Sequence, residues 1–445
     1  MKEAWSRPAF RWGVIVGVVS ALQRLVLWAI YAPVTYGDTG SYFRSATVLS
    51  RLTLDGYDGT RVPGYPAFVA LLGVDPERVY AAQLFLGWLI TLMLFLWAWR
   101  ATRRPALGVV VAAGYTLIPG QFLFEANLLT ETLTAFLLVL GFVLQLAVER
   151  SIPLSKRLMS AVGLGLAAGT VGLVRILFYP MTVWLIPFVW AAGRDRWRKR
   201  LVQTAVFLLP ALALLLGWVG FIYSAYGFLA PTTMGGYNLV QHTGVFFEYL
   251  PDEYAPIRDT YLRYRDIRMA ERGDQTNTIL DAMPELTKAS GLGFYDLSRE
   301  LQRLSLLLIR QHPDLYLRNV ATGWVGFWKA PVYWDPALVS SPVLASVLRI
   351  WAGAGRAVTL AVNAAFLGLS LLLILRFRRY RDLFRDRVWL APWGFVWFTS
   401  VIQTIVDHGD NPRFLVPLQP VVFFCVALAS AHILGRLRPR SEGTL

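Results

Sequence analysis

Asp38 lies in the segment Tyr36-Gly-Asp-Thr-Gly-Ser-Tyr42, directly after the first long apolar run of the chain, Trp12–Ala32. This run can span a bilayer, because about 20 apolar residues at roughly 1.5 Å per residue cross the hydrocarbon core. The chain therefore delivers a carboxylate, flanked by small and aromatic residues, to a membrane surface. Such a carboxylate becomes chemically useful when the rest of the chain folds over it.

Further acidic residues are predicted at or near the same membrane face. Together with the first carboxylate they are Asp38, Asp55, Asp58, Glu125, Glu131, Asp407 and Asp410. Their convergence suggests a site at this face. The alternative is that loops outside the membrane simply tolerate acidic residues.

Two arginines fall within apolar runs. Arg175 lies in the outer half of a predicted span, where a charge is unfavourable unless it has a partner. The alternative is a side chain that extends to the membrane surface. Arg24, next to Gln23, lies in the middle of the first run and indicates a pair with another helix.

The composition is that of a membrane protein. The 445 residues are 56% hydrophobic and only 16% charged, and the mean hydropathy is +0.48. A soluble domain carries about 25% charged residues. The net charge of +15 does not indicate nucleic-acid binding, because the basic residues cluster in short stretches between apolar runs.

The apolar runs predict an all-α polytopic protein with about ten spanning helices. The predicted spans are Trp12–Ala32, Val79–Trp99, Ala106–Phe124, Leu128–Val148, Leu158–Phe178, Met181–Ala192, Leu201–Tyr223, Ala357–Leu375, Val388–Val406 and Phe414–Leu434. Pro180 is expected to separate the fifth span from the sixth, because proline lacks the helical N–H.

Basic residues follow every second span, which orients the chain by the positive-inside rule. They include Lys2, Arg7, Arg11, Arg100, Arg103, Arg104, Arg150, Lys156, Arg157, five residues within 194–200, six arginines within 376–387, and Arg436, Arg438 and Arg440. We expect a multi-pass protein of the inner or plasma membrane with both termini cytoplasmic and the acidic residues external. The first run is too long for a cleaved signal peptide and lacks a small-x-small exit.

Three regions follow from this topology. Residues 1–223 form an N-terminal membrane module with its first external loop at 33–78. Residues 224–356 form an external cap, in which Leu297–Gln311 and Leu315–Lys329 are predicted amphipathic helices. Residues 357–445 hold the last spans. The short run Pro63–Leu72 predicts a juxtamembrane helix.

Several kinds of chemistry lack support in this sequence. The single cysteine, Cys425, excludes an intrachain disulfide and a cysteine-based metal site. No Walker loop, dinucleotide-binding glycine motif or GxSxG motif is present. Asp407, His408 and Asp410 could in principle bind a divalent cation, but they do not have a metal-ligand spacing, so we expect no cofactor and no metal.

Five motifs, taken in order, resemble the GT-C glycosyltransferases, in the bacterial branch of the protein mannosyltransferases and lipid A aminoarabinose transferases. They are the acidic loop Tyr36–Arg44, the segment Arg61-Val-Pro-Gly-Tyr-Pro66, the helix start Thr130-Glu-Thr132, the segment Leu308–Arg318 and the segment Asn411-Pro-Arg-Phe-Leu-Val-Pro417. The first loop departs from the family pattern, because Thr39 stands where relatives often have a second acid.

The resemblance implies transfer of a sugar from a polyprenyl phosphate to an acceptor outside the cytoplasm, with inversion at the anomeric carbon. This chemistry needs a general base and cations on the phosphate. Asp38 is then the expected base, although an aspartate between two glycines also suits a turn or helix cap.

The other site residues follow from the same resemblance. Glu131 is the second catalytic carboxylate, unless it only complements the start of its helix. Arg61, Arg175 and Arg413 are expected to bind the donor phosphate. Possible substrate contacts are Tyr42, Tyr65, Lys329, His408 and Asp410.

Two other classes of function fit the sequence. A transporter or flippase for a lipid-linked sugar would use the same arginines without a base, and a membrane scaffold would need neither. Expected partners are the lipid-linked sugar donor, an envelope glycan, lipid or protein acceptor and the bilayer, and not nucleic acid.

The topology gives a first testable prediction. A cysteine placed at Asp274, in a Cys425→Ser background, should react in intact cells with a membrane-impermeant thiol reagent, because the cap is external. Labelling only after the cells are broken would reverse the orientation.

Overall fold

The structure is a computed structural model that describes residues 8–150, 153–192, 196–406 and 412–435. The described residues form helices joined by loops and two isolated β-bridges. The helices of the first half are α1 (Pro8–Ile30), α2 (Thr39–Leu49), α3 (Gly64–Leu71), α4 (Pro76–Thr102), α5 (Pro105–Thr116), α6 (Pro119–Phe122), α7 (Glu131–Arg150), α8 (Leu154–Val174), α9 (Met181–Ala191) and α10 (Trp197–Tyr226).

The second half holds the cap and the last membrane helices. Its helices are α11 (Gly235–Thr243), α12 (Ala255–Arg272), α13 (Thr278–Ser290), α14 (Phe294–Gln311), α15 (Pro313–Phe327), α16 (Pro342–Leu375), α17 (Phe377–Arg385), α18 (Arg387–Val406) and α19 (Gln419–Ile433). Short 3-10 turns lie at Leu123–Ala126, Ile176–Phe178, Gly244–Tyr249, Asp252–Tyr254, Pro336–Leu338 and Pro412–Leu418.

Eight helices in the described residues are long and apolar enough to cross a membrane. They are α1, α4, α7, α8, α10, α16, α18 and the combined Pro412–Ile433. The all-helical, polytopic fold class is thereby confirmed. The predicted sixth span is α9, which has only 11 residues and extends to 16 with the preceding turn as Ile176–Ala191.

The predicted span Ala106–Phe124 is bent and does not form one straight helix. The chain forms α5 and then a second helical piece, Pro119–Ala126, bent by 62° from the first. Ile118 before the proline has an extended backbone, with φ −95° and ψ 114°. Proline disfavours the helical conformation of the residue before it, so the bend follows from Pro119.

The predicted helix Ala357–Leu375 begins much earlier, at Pro342, and runs for 34 residues. Arg349 and Arg356 are exposed on this helix and lowered the hydropathy of its first half. At about 1.5 Å per residue it is roughly 51 Å long, so it extends beyond the hydrocarbon core or tilts within it. The boundary expected at residue 356 therefore falls inside a continuous helix.

Other local predictions are confirmed. The juxtamembrane helix predicted at Pro63–Leu72 is α3. Helix α8 ends at Val174, and Pro180 immediately precedes α9. The amphipathic helix predicted at Leu297–Gln311 is α14, and the one predicted at Leu315–Lys329 is α15.

Close helix packing in the bundle depends on small and aromatic residues. A side chain at Gly165 of α8 would lie 2.0 Å from the Phe207 carbonyl oxygen of α10, so only glycine allows this approach. On the other side of the bundle, the ring of Trp97 stacks on Phe424 at 3.5 Å and on Phe142 at 5.6 Å. These contacts fix the relative positions of the helices that carry the site.

The cap has a hydrophobic core of its own. Leu301, Leu304 and Leu308 of α14 are fully buried, as the amphipathic pattern predicted, whereas Ile309 is only half-buried. The cap is joined to the loop after α2: the Thr233 N–H donates to the Gly59 carbonyl, and the Ser298 hydroxyl donates to the Thr233 carbonyl. The cap therefore lies at the same end of the bundle as Asp38.

Arg24 has the interhelical partner that the sequence predicted. Its Nη2 lies 2.6 Å from Glu125 Oε1, and the two side chains are 4% and 0% exposed. The same guanidinium donates to the hydroxyls of Thr116 and Thr91. Gly87 leaves room for this carboxylate, because a Cβ there would lie 2.1–2.2 Å from its atoms. Glu125 thus forms an internal ion pair away from the loops.

This buried pair generates a stability prediction. Arg24→Met should destabilise the protein by about 3–5 kcal/mol, because it leaves a buried carboxylate uncompensated. Arg24→Met combined with Glu125→Gln should recover much of that loss. Thermal unfolding in detergent, followed by tryptophan fluorescence, measures both effects. Exposed Arg349→Met serves as the matched control, and equal destabilisation by the single and double variants would contradict the pairing.

Candidate active site

Five segments that are distant in sequence meet at the Asp38 end of the bundle. They are the loop before α2 with Asp38, the loop before α3 with Arg61, the start of α7 with Glu131, the break after α8 with Arg175, and the turn before α19 with Arg413. These are the five residues that the sequence analysis assigned to catalysis and to the donor phosphate. The structure brings all five into one network of ion pairs.

The loop that carries Asp38 is fixed by backbone pairing. The Val34 N–H donates to the Ala126 carbonyl at 2.8 Å, and the Leu128 N–H donates to the Val34 carbonyl at 2.9 Å. The Thr39 hydroxyl accepts from the Tyr36 N–H and donates to the Leu128 carbonyl. The position of Asp38 is therefore set by the segment between α6 and α7.

Asp38 precedes α2, but its side chain does not cap this helix. Its two carboxylate oxygens instead accept from Arg61 Nη2 and Arg413 Nη2, each at 2.7 Å. The carboxylate is 28% exposed, so it remains within reach of a substrate. This arrangement supports the site interpretation of Asp38 over that of a helix-capping residue.

The two arginines determine the charge state of Asp38. Burial acts to raise the pKa of its carboxyl, but the positive charges of Arg61 and Arg413 act more strongly and lower the pKa below its usual range. Asp38 is therefore ionised at physiological pH, as a base must be. In this arrangement it is a weak proton acceptor, because both arginines stabilise its charge.

Glu131 lies deeper, at 1% exposure, between two arginines. Its Oε1 is 2.7 Å from Arg175 Nη1 and 3.0 Å from Arg413 Nε. Arg175 also donates to the Thr130 hydroxyl, and its guanidinium stacks on the Phe414 ring at 4.5 Å. The sequence predicted that Arg175 needs a partner, and this partner is Glu131. The Arg175 side chain therefore does not extend to the membrane surface.

The network combines three guanidinium groups with two carboxylates. Arg61, Arg175 and Arg413 are its cations, and Asp38 and Glu131 are its anions. Guanidinium groups at a partly exposed site form strong charge-assisted hydrogen bonds with a bound anion. Arginine is also suited to a phosphate, because its planar guanidinium can donate two parallel hydrogen bonds.

Aromatic rings surround the cluster. The Arg61 guanidinium lies 4.8 Å from the centre of the Tyr42 ring, and Tyr65 packs edge-on against Tyr42 at 5.1 Å. Tyr36 and Tyr333 meet at 5.8 Å close by. Burial is the main cause that raises the pKa of Tyr36 and of Tyr333, so both keep their hydroxyl protons. Tyr36 and Phe414 were not predicted as site residues from the sequence, although each lies within one of the five motifs.

The predicted substrate contacts have different outcomes. Tyr42 contacts the cluster directly, whereas Tyr65 is fully buried behind it and donates to Gln83 Oε1. Lys329 is exposed and forms no ion pair with these carboxylates. His408 and Asp410 lie outside the described residues. Within the described residues, no group of three or more His, Cys, Asp or Glu side chains could hold a metal.

The chain from Glu125 to Glu131, called the 125–131 segment, connects the Arg24–Glu125 ion pair to the ion pairs of Glu131. Gln83 Nε2 donates to the carbonyls of Glu125 and Asn127 at 2.9 and 2.8 Å. The Asn127 side chain in turn donates to the Tyr333 carbonyl. Glu125 and Glu131 at its two ends hold arginines from two different parts of the bundle.

The fold and the site together define a polytopic membrane protein with a carboxylate–arginine cluster at one end of its bundle. No family model matches the chain, and no curated protein matches it. Two solved structures align with it over nearly its whole length, and both are of ArnT from Cupriavidus metallidurans.

The first of these structures has undecaprenyl phosphate bound. It is 14% identical, covers 96% of this chain and 78% of its own, and has a TM-score of 0.35. The second is the apo state, with 14% identity, 97% and 78% coverage and a TM-score of 0.36.

Proposed function

We propose that the chain is a membrane glycosyltransferase that moves a sugar from a polyprenyl phosphate to an acceptor on the external side, with inversion. The observation that supports this most directly is the contact of one ionised carboxylate, Asp38, with the two arginines Arg61 and Arg413. A base and a phosphate-binding group are thereby adjacent. The sugar transfer requires a base beside the acceptor hydroxyl and cations beside the leaving phosphate, on opposite faces of the anomeric carbon.

In the proposed reaction, an acceptor hydroxyl attacks the anomeric carbon while its proton passes to Asp38. The bond between that carbon and the phosphate oxygen breaks, and its electron pair leaves with the polyprenyl phosphate. Arg61, Arg175 and Arg413 stabilise the charge that develops on the phosphate. Because the displacement is direct, the configuration inverts and no covalent glycosyl-enzyme forms.

The same arginines serve Asp38 and the phosphate, so the two anions compete for them. When the donor phosphate draws Arg61 and Arg413 toward itself, their hold on the carboxylate weakens. The pKa of Asp38 then rises from its lowered value, since the arginine charges are what lower it. Donor binding thus makes Asp38 a stronger base at the moment when it is needed.

Glu131 has a positioning role in this proposal. It is almost fully buried between Arg175 and Arg413, and it has no exposed surface for an acceptor. Its charge keeps both guanidinium groups directed toward the cluster. Glu131 nevertheless remains the alternative base if Asp38 proves dispensable.

The depth of the cluster supports a lipid-linked donor. Arg175 follows the last residue of the span α8, and Glu131 is the first residue of the span α7. Their pairing therefore lies at a membrane boundary, where the phosphate of a lipid headgroup also lies. Undecaprenyl phosphate is the lipid bound to ArnT in its solved structure, and we propose a polyprenyl phosphate of the same chemical class for this chain.

Asp38→Asn tests the reaction. The amide keeps the shape of the side chain but cannot accept the proton, so turnover should fall by about 10² to 10⁴-fold. Donor binding should stay equal or become tighter, since the arginines lose a competing anion. Release of labelled sugar from a radiolabelled polyprenyl-phosphate sugar by purified protein measures the turnover.

The matched control is Asp55→Asn, because Asp55 is an exposed aspartate in the same loop region. It should leave turnover unchanged. Retention of more than about a tenth of the wild-type rate by Asp38→Asn, far above what loss of a general base allows, would place the base elsewhere. An intact donor in the wild-type reaction would instead favour the transporter or flippase.

The phosphate site generates a separate prediction. Arg175→Ala and Arg413→Ala should weaken donor binding by about 10- to 100-fold, the equivalent of roughly 1.5–3 kcal/mol for a lost charged hydrogen bond. The corresponding lysine variants should lose less, since they keep the charge. Binding of a labelled polyprenyl phosphate to protein of verified thermal stability measures this. The exposed Arg310→Ala is the control, and unchanged affinity in both alanine variants would remove these arginines from the phosphate site.

A further inference from the structure

A short amphipathic helix, whose backbone departs from helical geometry at Tyr380, lies at the end of the bundle opposite to Asp38. It is α17, which begins two residues after α16 ends at Leu375. Tyr380 and Leu383 are buried against the bundle, and the arginines of the helix are exposed. Helices with this division of apolar and basic residues lie in the plane of a membrane surface.

A cleft of about 660 Å³ opens between α17 and the start of α18. Its lining residues are Phe377, Arg378, Arg381, Phe384, Arg385 and Leu390. Three guanidinium groups and three apolar side chains thus share one cavity. The rings of Phe377 and Phe384 contact each other at 5.1 Å and form one wall.

The cleft arginines are not neutralised by the protein. In the part of the chain that the structure describes, Arg378, Arg381 and Arg385 form no ion pair with any carboxylate. By contrast, the neighbouring Arg387 pairs with Glu149 at 2.9 Å. Several cap arginines are also paired, as Arg265 is with Glu248 at 2.7 Å. The cleft therefore concentrates positive charge, which favours binding of an anion.

An apolar surface leads away from the cleft. Leu371, Ile374 and Leu375 at the end of α16 are 59%, 54% and 72% exposed, and Phe377 is 53% exposed. In a bilayer these side chains face acyl chains. The cleft and this surface together place an open cationic cleft next to a lipid-facing strip.

We propose that this cleft is a binding site for an anionic glycerophospholipid, such as phosphatidylglycerol, in the leaflet opposite to the Asp38 cluster. Arg378, Arg381 and Arg385 hold the phosphate, and the acyl chains lie along the end of α16. Basic pockets at membrane surfaces bind anionic headgroups in this way. The positive-inside rule accounts for arginines at this end of the bundle, but not for their convergence around a cavity with aromatic walls.

The site is independent of the proposed sugar transfer, because none of its residues belongs to the Asp38 cluster. The lipid holds α17 at its arginines, while the buried Tyr380 and Leu383 pack the same helix against the bundle. Bound lipid should therefore raise the thermal stability of the protein, as any ligand of the folded state does.

The test compares Arg378→Gln/Arg381→Gln/Arg385→Gln with the wild type. Each purified protein is incubated in detergent with an equimolar mixture of phosphatidylglycerol and phosphatidylcholine, and retained lipids are counted by native mass spectrometry. The wild type should retain phosphatidylglycerol over phosphatidylcholine by at least fivefold, and the triple variant should lose this preference. A variant with lysine at the same three positions should keep part of it.

The matched control is Arg100→Gln/Arg103→Gln/Arg104→Gln, which removes three exposed arginines at the same end of the bundle. It should retain phosphatidylglycerol as the wild type does. Should the triple glutamine variant fail to fold, Arg381→Gln alone replaces it and should reduce the preference.

Three outcomes would overturn the proposal. They are equal retention of both lipids by the wild type, unchanged preference in the glutamine variant, and equal loss in the matched control. A further arm adds inorganic phosphate at millimolar concentration to the lipid mixture. Displacement of the lipid by phosphate would show a site for the free anion and not for a phospholipid.

Discussion

The site depends on the guanidinium group of Arg413, which contacts two carboxylates at once. Its Nη2 holds Asp38 and its Nε faces Glu131, so one side chain joins the exposed carboxylate to the buried one. Each carboxylate has a second arginine, Arg61 or Arg175, on its outer side. A charge as buried as Glu131 is tolerated only with such partners. The convergence of five loops and helix ends at this point is therefore a requirement of electrostatics as well as of packing.

Much of this site was predictable from the sequence for physical reasons. Asp38 follows a span, and Arg175 interrupts one, so both had to find partners at a membrane boundary. Which carboxylate pairs with which arginine could not be predicted, because Asp38 and Arg413 are 375 positions apart and meet only through the tertiary fold. Lys329 shows the limit of this reasoning, since it is exposed and forms no ion pair with Asp38 or Glu131.

The helices were predicted where hydropathy decides the structure, and their bends and ends were missed where single residues decide them. Pro119 bends a run that is apolar throughout, and exposed arginines conceal the first half of α16. The partner of Arg24 was also hidden, because Glu125 lies in a segment that sequence analysis placed in a loop. A mean hydropathy registers neither a proline bend nor a buried ion pair, which both depend on single residues.

The 125–131 segment has a mechanical consequence. Its carbonyl groups are held by Gln83, its start anchors Arg24 through Glu125, and its end anchors Arg175 through Glu131. A segment held at so many points is rigid, so the backbone around the cluster has little freedom to move when a ligand binds. Adaptation to a substrate then falls to the tips of the guanidinium groups. If the proposed donor binds here, its headgroup is selected by where its negative charge lies relative to the three arginines.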